Sequence, residues 1–142
     1  MRRKAQLVDL ALSHIGEVSY FRLAKHGFRP NGIIDIGAYH GEWSKFISRI
    51  YPQTPILMIE AQADKASQLE AIFALLPQAK FELSLLGNKE GSEAVFNLME
   101  TGSSLYGERS NVPRTQCTLT MHALYRVSLI RTRAPIGAVR WT

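Results

Sequence analysis

The sequence predicts an α/β fold built on a mostly parallel β-sheet. Short apolar runs alternate with longer segments whose apolar side chains recur every three or four positions. The resulting order of helix, strand, helix, strand, helix, strand is typical of βαβ units with parallel strands. The chain has 142 residues, of which 46% are apolar and 20% are charged, so it can form one domain with a hydrophobic core.

The N-terminal half is predicted to contain a helix, a strand, a turn and a second helix. Helical periodicity extends from residue 5 to about 26. Ile33 to Ile36 is a short β-branched run that predicts a buried strand, and Gly37 to Gly41 forms the turn after it. "EWSKFISRIY" then has helical periodicity and stops before Pro52.

The following segments repeat this alternation. Ile56 to Ile59 predicts a second buried strand that ends on Glu60. "ADKASQLEAIFALLPQA" predicts a helix with Asp64 as its N-cap. "KFELSLLGN" predicts a third strand, followed by a turn at "GNKEG" and a fourth, hairpin-like strand at "EAVFNLM". "ETGSSLYGERSNVP" is predicted to be a polar loop.

Charge divides the chain into two unequal parts. Residues 1–108 hold 11 basic and 12 acidic residues, whereas residues 109–142 hold six arginines and no acid. A basic segment can bind nucleic acid. These arginines alternate with apolar residues instead of forming a run, so nucleic acid is not favoured as a partner.

Cysteine, histidine and hydropathy patterns exclude several classes of site. Cys117 is the single cysteine, so an internal disulfide or a multi-cysteine metal site cannot form. The four histidines lie far apart in sequence, and no metal site is predicted. The basic N-terminus lacks an uninterrupted apolar stretch, and no segment is long enough to span a bilayer. We therefore expect no membrane partner and a cytoplasmic location.

Three features converge at the carboxyl ends of the first two predicted strands, where parallel sheets bind ligands. Asp35 lies inside the first strand, the turn Gly37 to Gly41 opens a helix, and Glu60 ends the second strand. A carboxylate at the tip of the second strand can accept both hydroxyls of a ribose. This arrangement favours an adenosine-containing cofactor. The alternative is a strand–turn–helix in which Asp35 only caps nearby amides.

The spacing of the turn bears on which adenosine cofactor fits. A dinucleotide site usually has G-x-G-x-x-G, whereas this turn reads D-x-G-x-x-x-G with Tyr39 in place of the close glycine. Asp35 would repel a pyrophosphate but tolerate the sulfonium and ammonium groups of S-adenosylmethionine (SAM). The pattern therefore favours SAM over NAD.

Three stretches resemble the FkbM-type family of SAM-dependent methyltransferases. They are "GFRPNGIIDIGAYHGEWSKF", "MIEAQADKASQL" and "LLGNKEGSEAVFNLMETGSSLYGERSNVP", and the resemblance covers roughly residues 27 to 124. "TMHAL" is loosely similar to a Thr-Leu-Asp-x-Leu segment of the family, with Met121 and His122 in place of Leu and Asp.

The resemblance implies a Rossmann-like class I methyltransferase fold, a mostly parallel sheet with helices on both faces. It implies methyl transfer from SAM to a hydroxyl of a small molecule or sugar. By the resemblance, Glu60 would bind the ribose diol, and Leu86 and Gly87 would lie beside the adenine. The turn facing the methionine part of SAM would consist of Asp35, Gly37, Ala38 and Gly41.

Four further residues have open roles, and no catalytic residue is assigned. Tyr39 and His40 lie in the turn, where they contact the ligand or face solvent; Tyr39 is counted with the cofactor-binding residues. Ser103 and Ser104 lie in a family-like loop that either faces the acceptor or is an ordinary flexible loop.

The resemblance stops after Leu124. The family would continue into an acid-bearing strand, whereas residues 125–142 form a divergent basic tail without an acid. We therefore expect residues 1–124 to be the N-terminal part of a methyltransferase domain in a truncated or frame-shifted chain. Such a fold, incomplete at the C-terminus, would leave its innermost strand as an open edge that self-associates. The tail is expected to be weakly attached.

Two other functions remain as alternatives. The first is a non-catalytic remnant that binds SAM or a nucleotide, or that acts as an interaction module. The second is a dinucleotide-dependent oxidoreductase, against which Tyr39 and the missing close glycine argue.

Overall fold

The described part of the chain forms an α/β arrangement of helices and mostly parallel strands. The structure, a computed structural model, describes residues 16–99, 103–106, 115–123 and 138–140, the last of these by their backbone alone. None of the helices in these ranges is long and apolar enough to cross a membrane. In chain order the elements are α1 (described from residue 16 to 25), β1 (Ile33–Ile36), α2 (Glu42–Ile50), β2 (Ile56–Glu60), a 3-10 turn (Ala63–Lys65), α3 (Ala66–Leu75), β3 (Ala79–Leu83), β4 (Leu85–Gly87), β5 (Glu93–Leu98), β6 (Thr115–Ala123) and β7 (Ala138–Arg140).

The main sheet has four parallel strands in the order β3-β2-β1-β7. In its register Ile33 lies opposite Ile56, and Ile56 lies opposite Ala79. All five residues of β2 are buried. Strands covered on both faces have continuous apolar runs, because no position faces solvent. The predicted alternation from the first helix to the third strand is confirmed, except that residues 5–15 lie outside the described residues.

All three described helices pack on one face of this sheet. Tyr20 of α1 contacts Trp43 and Phe46 of α2 edge to face, with ring centroids 5.6 and 6.3 Å apart. Right-handed crossovers that advance from β1 to β2 to β3 place α2 and α3 on the same side of the sheet. The buried cluster on this first face consists of Ile33, Ala38, Ile47, Tyr51, Ile56, Met58, Leu69, Ile72 and Ala79.

The second face of the sheet has a smaller cluster formed by Ile34, Leu57 and Ile59, with Ile36 and Leu86 packed against it. Within the described ranges no helix contributes to this cluster. The prediction of helices on both faces is therefore not met in this part of the chain. A helix on the second face would require a crossover on the far side of β1, and residues 124–137 lie outside the described residues.

The third predicted strand is divided at Ser84. β3 stays in the main sheet, whereas β4 pairs in parallel with β6 in a second sheet of order β4-β6-β5. β5 is the predicted fourth strand, and it pairs antiparallel with β6 over six residue pairs. β6 itself lies in a segment for which the sequence predicted no strand. The only feature noted there was the loose resemblance of "TMHAL" to a family segment.

The basic tail contributes a strand to the main sheet. Ala138–Arg140 pairs in parallel with the first three residues of β1, on the side opposite to β2. The expectation that β1 is left as an open edge is therefore wrong. The expectation that the tail is weakly attached stays a prediction. The edges of the described sheet are β3 and β7.

Candidate functional site

The turn between β1 and α2 holds three residues with positive φ. Gly37, Tyr39 and Gly41 have φ of 74°, 52° and 75°. Glycine adopts this region without steric cost, whereas tyrosine rarely does. Tyr39 is therefore held in a strained conformation by its surroundings, and such residues cluster at ligand sites.

The backbone amides of the turn donate to acceptors within the protein. Those of Gly37 and Ala38 both donate to the Ile59 carbonyl, at 2.9 and 3.0 Å. The Gly41 amide donates to the Ala38 carbonyl at 2.7 Å. The turn is thereby attached to the carboxyl end of β2.

Glu60 fixes the position of the turn from the tip of β2. Its Oε2 accepts a hydrogen bond from the Tyr39 amide at 2.7 Å, and its Oε1 accepts one from the Gln62 amide at 2.9 Å. The residue is only 5% exposed. Each carboxylate oxygen can accept two hydrogen bonds, so this pair of amides leaves acceptor capacity at both oxygens.

Asp35 lies beneath the turn and links β1 to α2. Its Oδ2 accepts a hydrogen bond from the Ser44 hydroxyl at 2.8 Å, and both residues are 0% exposed. Ser44 stands in the first turn of α2, so the contact fixes the start of that helix against the sheet. The predicted role of Asp35 toward the methionine part of SAM stays a prediction.

Gly41 is the point at which the turn and α2 approach α3. A Cβ at this position would lie 2.9 Å from Ile72 Cγ1 and 3.3 Å from Met58 Sδ. Positive φ and close packing together restrict the position to glycine. The glycine predicted to open a ligand turn thus also permits helix packing.

Aromatic and basic side chains stack beside the turn. The Tyr39 ring stacks on His40 with centroids 3.7 Å apart, and Lys65 Nζ lies 4.9 Å from the centre of the Tyr39 ring. A hydrogen bond to Asp64, 3.0 Å away, is the main reason that the pKa of Lys65 is raised. Asp64 lies within the 3-10 turn, and the residue preceding α3 is Lys65, so the prediction of Asp64 as N-cap is wrong.

Leu86 and Gly87 belong to β4, which follows Ser84 in the chain. The Ser84 amide donates to the Glu60 carbonyl at 2.8 Å, so β4 starts beside the tip of β2. Leu86 packs on the second-face cluster. A Cβ on Gly87 would collide with Met121 Sδ of β6, so glycine permits the close approach of these two strands.

The hydroxyls of Ser103 and Ser104 are engaged within their own loop. Ser103 Oγ bonds the backbone of Met99, and Ser104 Oγ accepts the Tyr106 amide at 2.8 Å. The buried Asn97 pairs with Ser104 through both backbone groups. These contacts indicate a turn tied to β5. Their predicted role toward an acceptor stays a prediction.

The sequence predicted most of this site and missed several of its polar residues. It placed Asp35, Gly37, Ala38, Tyr39 and Gly41 in one turn, and the structure brings Glu60 into contact with that turn. Ser44, Gln62 and Ser84 were not predicted. The sequence carries no local signal for the role of Ser44, because its hydroxyl bonds Asp35 of the preceding strand instead of the helix backbone.

Neither a protein family, nor a curated protein, nor a solved structure matches this chain. The site presents two buried carboxylates at the carboxyl ends of adjacent parallel strands, Asp35 and Glu60. Its turn amides are bonded internally. Chemically, Glu60 offers acceptor oxygens to a ligand at this turn, whereas Asp35 is fully buried beneath it and the turn offers few donors.

Proposed function

We propose that this chain binds SAM at the carboxyl ends of β1 and β2, as a methyltransferase of FkbM type with a class I methyltransferase fold. The observation that carries the proposal is the carboxylate of Glu60, held by the amides of Tyr39 and Gln62 against the glycine turn. A fixed acceptor at this position suits the two hydroxyls of a ribose.

The internal bonding of the turn favours SAM over a dinucleotide. A pyrophosphate needs donors, and the amides of Gly37, Ala38, Tyr39 and Gly41 already donate to protein acceptors. SAM carries a sulfonium and an ammonium group, which are compatible with buried carboxylates nearby. The residues present therefore fit SAM better than NAD.

Under this proposal, the residues of the chain bind and orient SAM. Glu60 holds the ribose through its remaining acceptor capacity, and the glycine turn lets the backbone come close to the ligand. Bound SAM supplies an electrophilic methyl group for a hydroxyl of a small molecule or sugar. Orientation of that hydroxyl contributes most of the rate. No residue is assigned as the base.

A non-catalytic function is the second candidate. The residues that support SAM binding lie on β1, β2, the turn and β4, whereas nothing in the described ranges identifies an acceptor site. Radiolabelled methyl transfer to a panel of hydroxylated compounds separates the two candidates. Transfer supports the enzyme, and SAM binding without transfer supports a binding module.

Calorimetric titration with SAM and with NAD tests the cofactor. We expect SAM to bind and NAD to bind weakly or not at all, because the turn lacks free donors for a pyrophosphate. Tight NAD binding without SAM binding would overturn the proposal and favour an oxidoreductase.

Glu60→Ala is expected to weaken SAM binding by about 1–3 kcal/mol, because the ribose loses charge-assisted hydrogen bonds. The measurement is calorimetry on chains whose folding is verified by circular dichroism, since Glu60 also holds the turn. Glu70→Ala, at an exposed position of α3, is the matched control and should bind normally. Equal affinities in the two variants would remove Glu60 from the site.

A further inference from the structure

A carboxylate–imidazole pair joins the turn after β4 to the end of β6. Glu90 Oε1 lies 3.1 Å from His122 Nδ1, and Glu90 Oε2 accepts the Ala123 amide at 2.7 Å. The two side chains are 29% and 45% exposed. Glu90 is thus fixed by backbone and side chain of the same strand.

This pairing selects one form of the neutral imidazole. With the proton on Nδ1, His122 donates to Glu90, and Nε2 becomes a hydrogen-bond acceptor. A carboxylate partner also fixes the plane of the ring, as it does for histidines that bind ligands or metals. In its neutral form His122 therefore presents an oriented acceptor at a half-exposed position.

Strand register places His122 near the proposed nucleoside site. His122 is the register partner of Leu86 in parallel strands, so the two residues share one face of the second sheet. Leu86 is two residues from Ser84, whose amide bonds the Glu60 carbonyl. Two residues extend about 6.6 Å, and neighbouring strands lie about 4.8 Å apart. His122 thus lies within reach of a nucleoside held by Glu60.

Ser84 independently indicates a ligand near the start of β4, beside Glu60. The residue is 7% exposed, and its hydroxyl has no hydrogen-bond partner within the described part of the chain. A buried hydroxyl without a partner is unfavourable. Ser84 lies between β3 and β4, two residues before Leu86, so one ligand could contact both.

We propose that His122 reads the base of the bound nucleoside, with Glu90 as its positioning residue and Ser84 as a second polar contact. Adenine presents an amino donor at C6, which matches an acceptor at Nε2. Hypoxanthine presents an oxygen acceptor at C6, which His122 would reject. This inference rests on the proposed function, because it needs an adenosine ligand at Glu60.

The test compares two ligands, S-adenosylhomocysteine and S-inosylhomocysteine, by calorimetry on the full chain. We expect the wild type to prefer the adenosine compound by about tenfold or more, since a mismatched polar contact replaces a hydrogen bond. His122→Phe retains ring volume and should lose the preference. His122→Gln, which offers both a donor and an acceptor, should also lose it. His26→Gln, at an exposed position, should keep it.

The outcomes separate this inference from the proposed function. Binding of neither compound by folded wild type contradicts the proposed function. Binding of both with equal affinity, or an unchanged preference in a folded His122 variant, overturns the reading of the base and leaves SAM binding intact. Glu90→Gln should reduce the preference without abolishing binding, because the ring loses its fixed tautomer.

Ser84→Ala gives a further readout that a structural role would not produce. Removal of a hydroxyl without a partner should leave the thermal midpoint unchanged or raise it, while affinity for S-adenosylhomocysteine falls about threefold to tenfold. Unchanged affinity would remove Ser84 from the site.

Discussion

Tyr39 occupies a backbone conformation that glycine normally adopts, with φ of 52°. Such a residue costs on the order of 1–3 kcal/mol and persists only when its surroundings hold it. The hydrogen bond from its amide to Glu60 and the stacking of its ring on His40 provide that hold. The sequence placed Tyr39 among the cofactor-binding residues of the turn and as a departure from the dinucleotide pattern. It could not predict the positive φ, because no spacing of residue types records a strained backbone.

Tyr51 should make stability sensitive to alkaline pH. It is 5% exposed, its hydroxyl has no hydrogen-bond partner among the described residues, and burial raises its pKa above 10.0, with the Arg29 charge opposing. A raised pKa means that the folded state holds the proton more tightly. The contribution of Tyr51 to the free energy of unfolding is therefore present below pH 10.0, and it is lost as the pH rises through the pKa of the folded state.

Urea unfolding across the alkaline range tests this expectation. Tyr51→Phe should lose less stability than wild type as the pH rises above 10.0, because phenylalanine does not ionise. Tyr106→Phe, at a position that is 82% exposed, is the control and should behave as wild type. If the free energy of unfolding falls equally with pH in wild type and Tyr51→Phe, Tyr51 is not the source of the pH dependence.

At the scale of elements, the contact of Asp35 with Ser44 joins β1 to α2 beneath the turn. Ser44→Ala removes a donor from a fully buried carboxylate, so we expect the free energy of unfolding to fall by about 1–3 kcal/mol. Chemical denaturation measures this. Ser67→Ala, on the exposed face of α3, should change stability by less than about 0.5 kcal/mol. Equal effects would show that the contact contributes little.

The division of the third strand is a second feature at this scale. "KFELSLLGN" reads as one apolar strand, yet Ser84 marks the point where the chain leaves the main sheet to pair with β6. The alternation of polar and apolar residues continues through Ser84 to Leu85, so it gives no sign of a break at Ser84. The partner strand, which is distant in sequence, decides where β3 ends, so local patterns could not predict it.

At the scale of the whole molecule, β7 decides which strand edges are exposed. It pairs with the side of β1 that we expected to be an open edge. We expected an open edge there because the resemblance to the family stops after Leu124, before the strand that would continue the sheet. Three residues in a tail of mixed arginine and apolar side chains were too few to signal a strand.

Removal of β7 should increase self-association, because the edge of β1 would then present unpaired backbone groups. Light scattering over a concentration series should detect larger species for a chain ending at residue 137 than for the full chain. A chain ending at residue 140 keeps β7 and is the control. Indistinguishable profiles for all three would show that β7 does not protect this edge.

The sequence by itself determined the alternation of helices and strands up to β3, and the turn followed by Glu60. These features depend on local periodicity and on glycine spacing, which residue types record directly. Only the tertiary structure decided the pairing of β4 with β6, the placement of β7 beside β1, and the contact of Glu90 with His122. The reason is physical: these contacts join residues far apart in the chain, and their energies depend on which groups folding brings together.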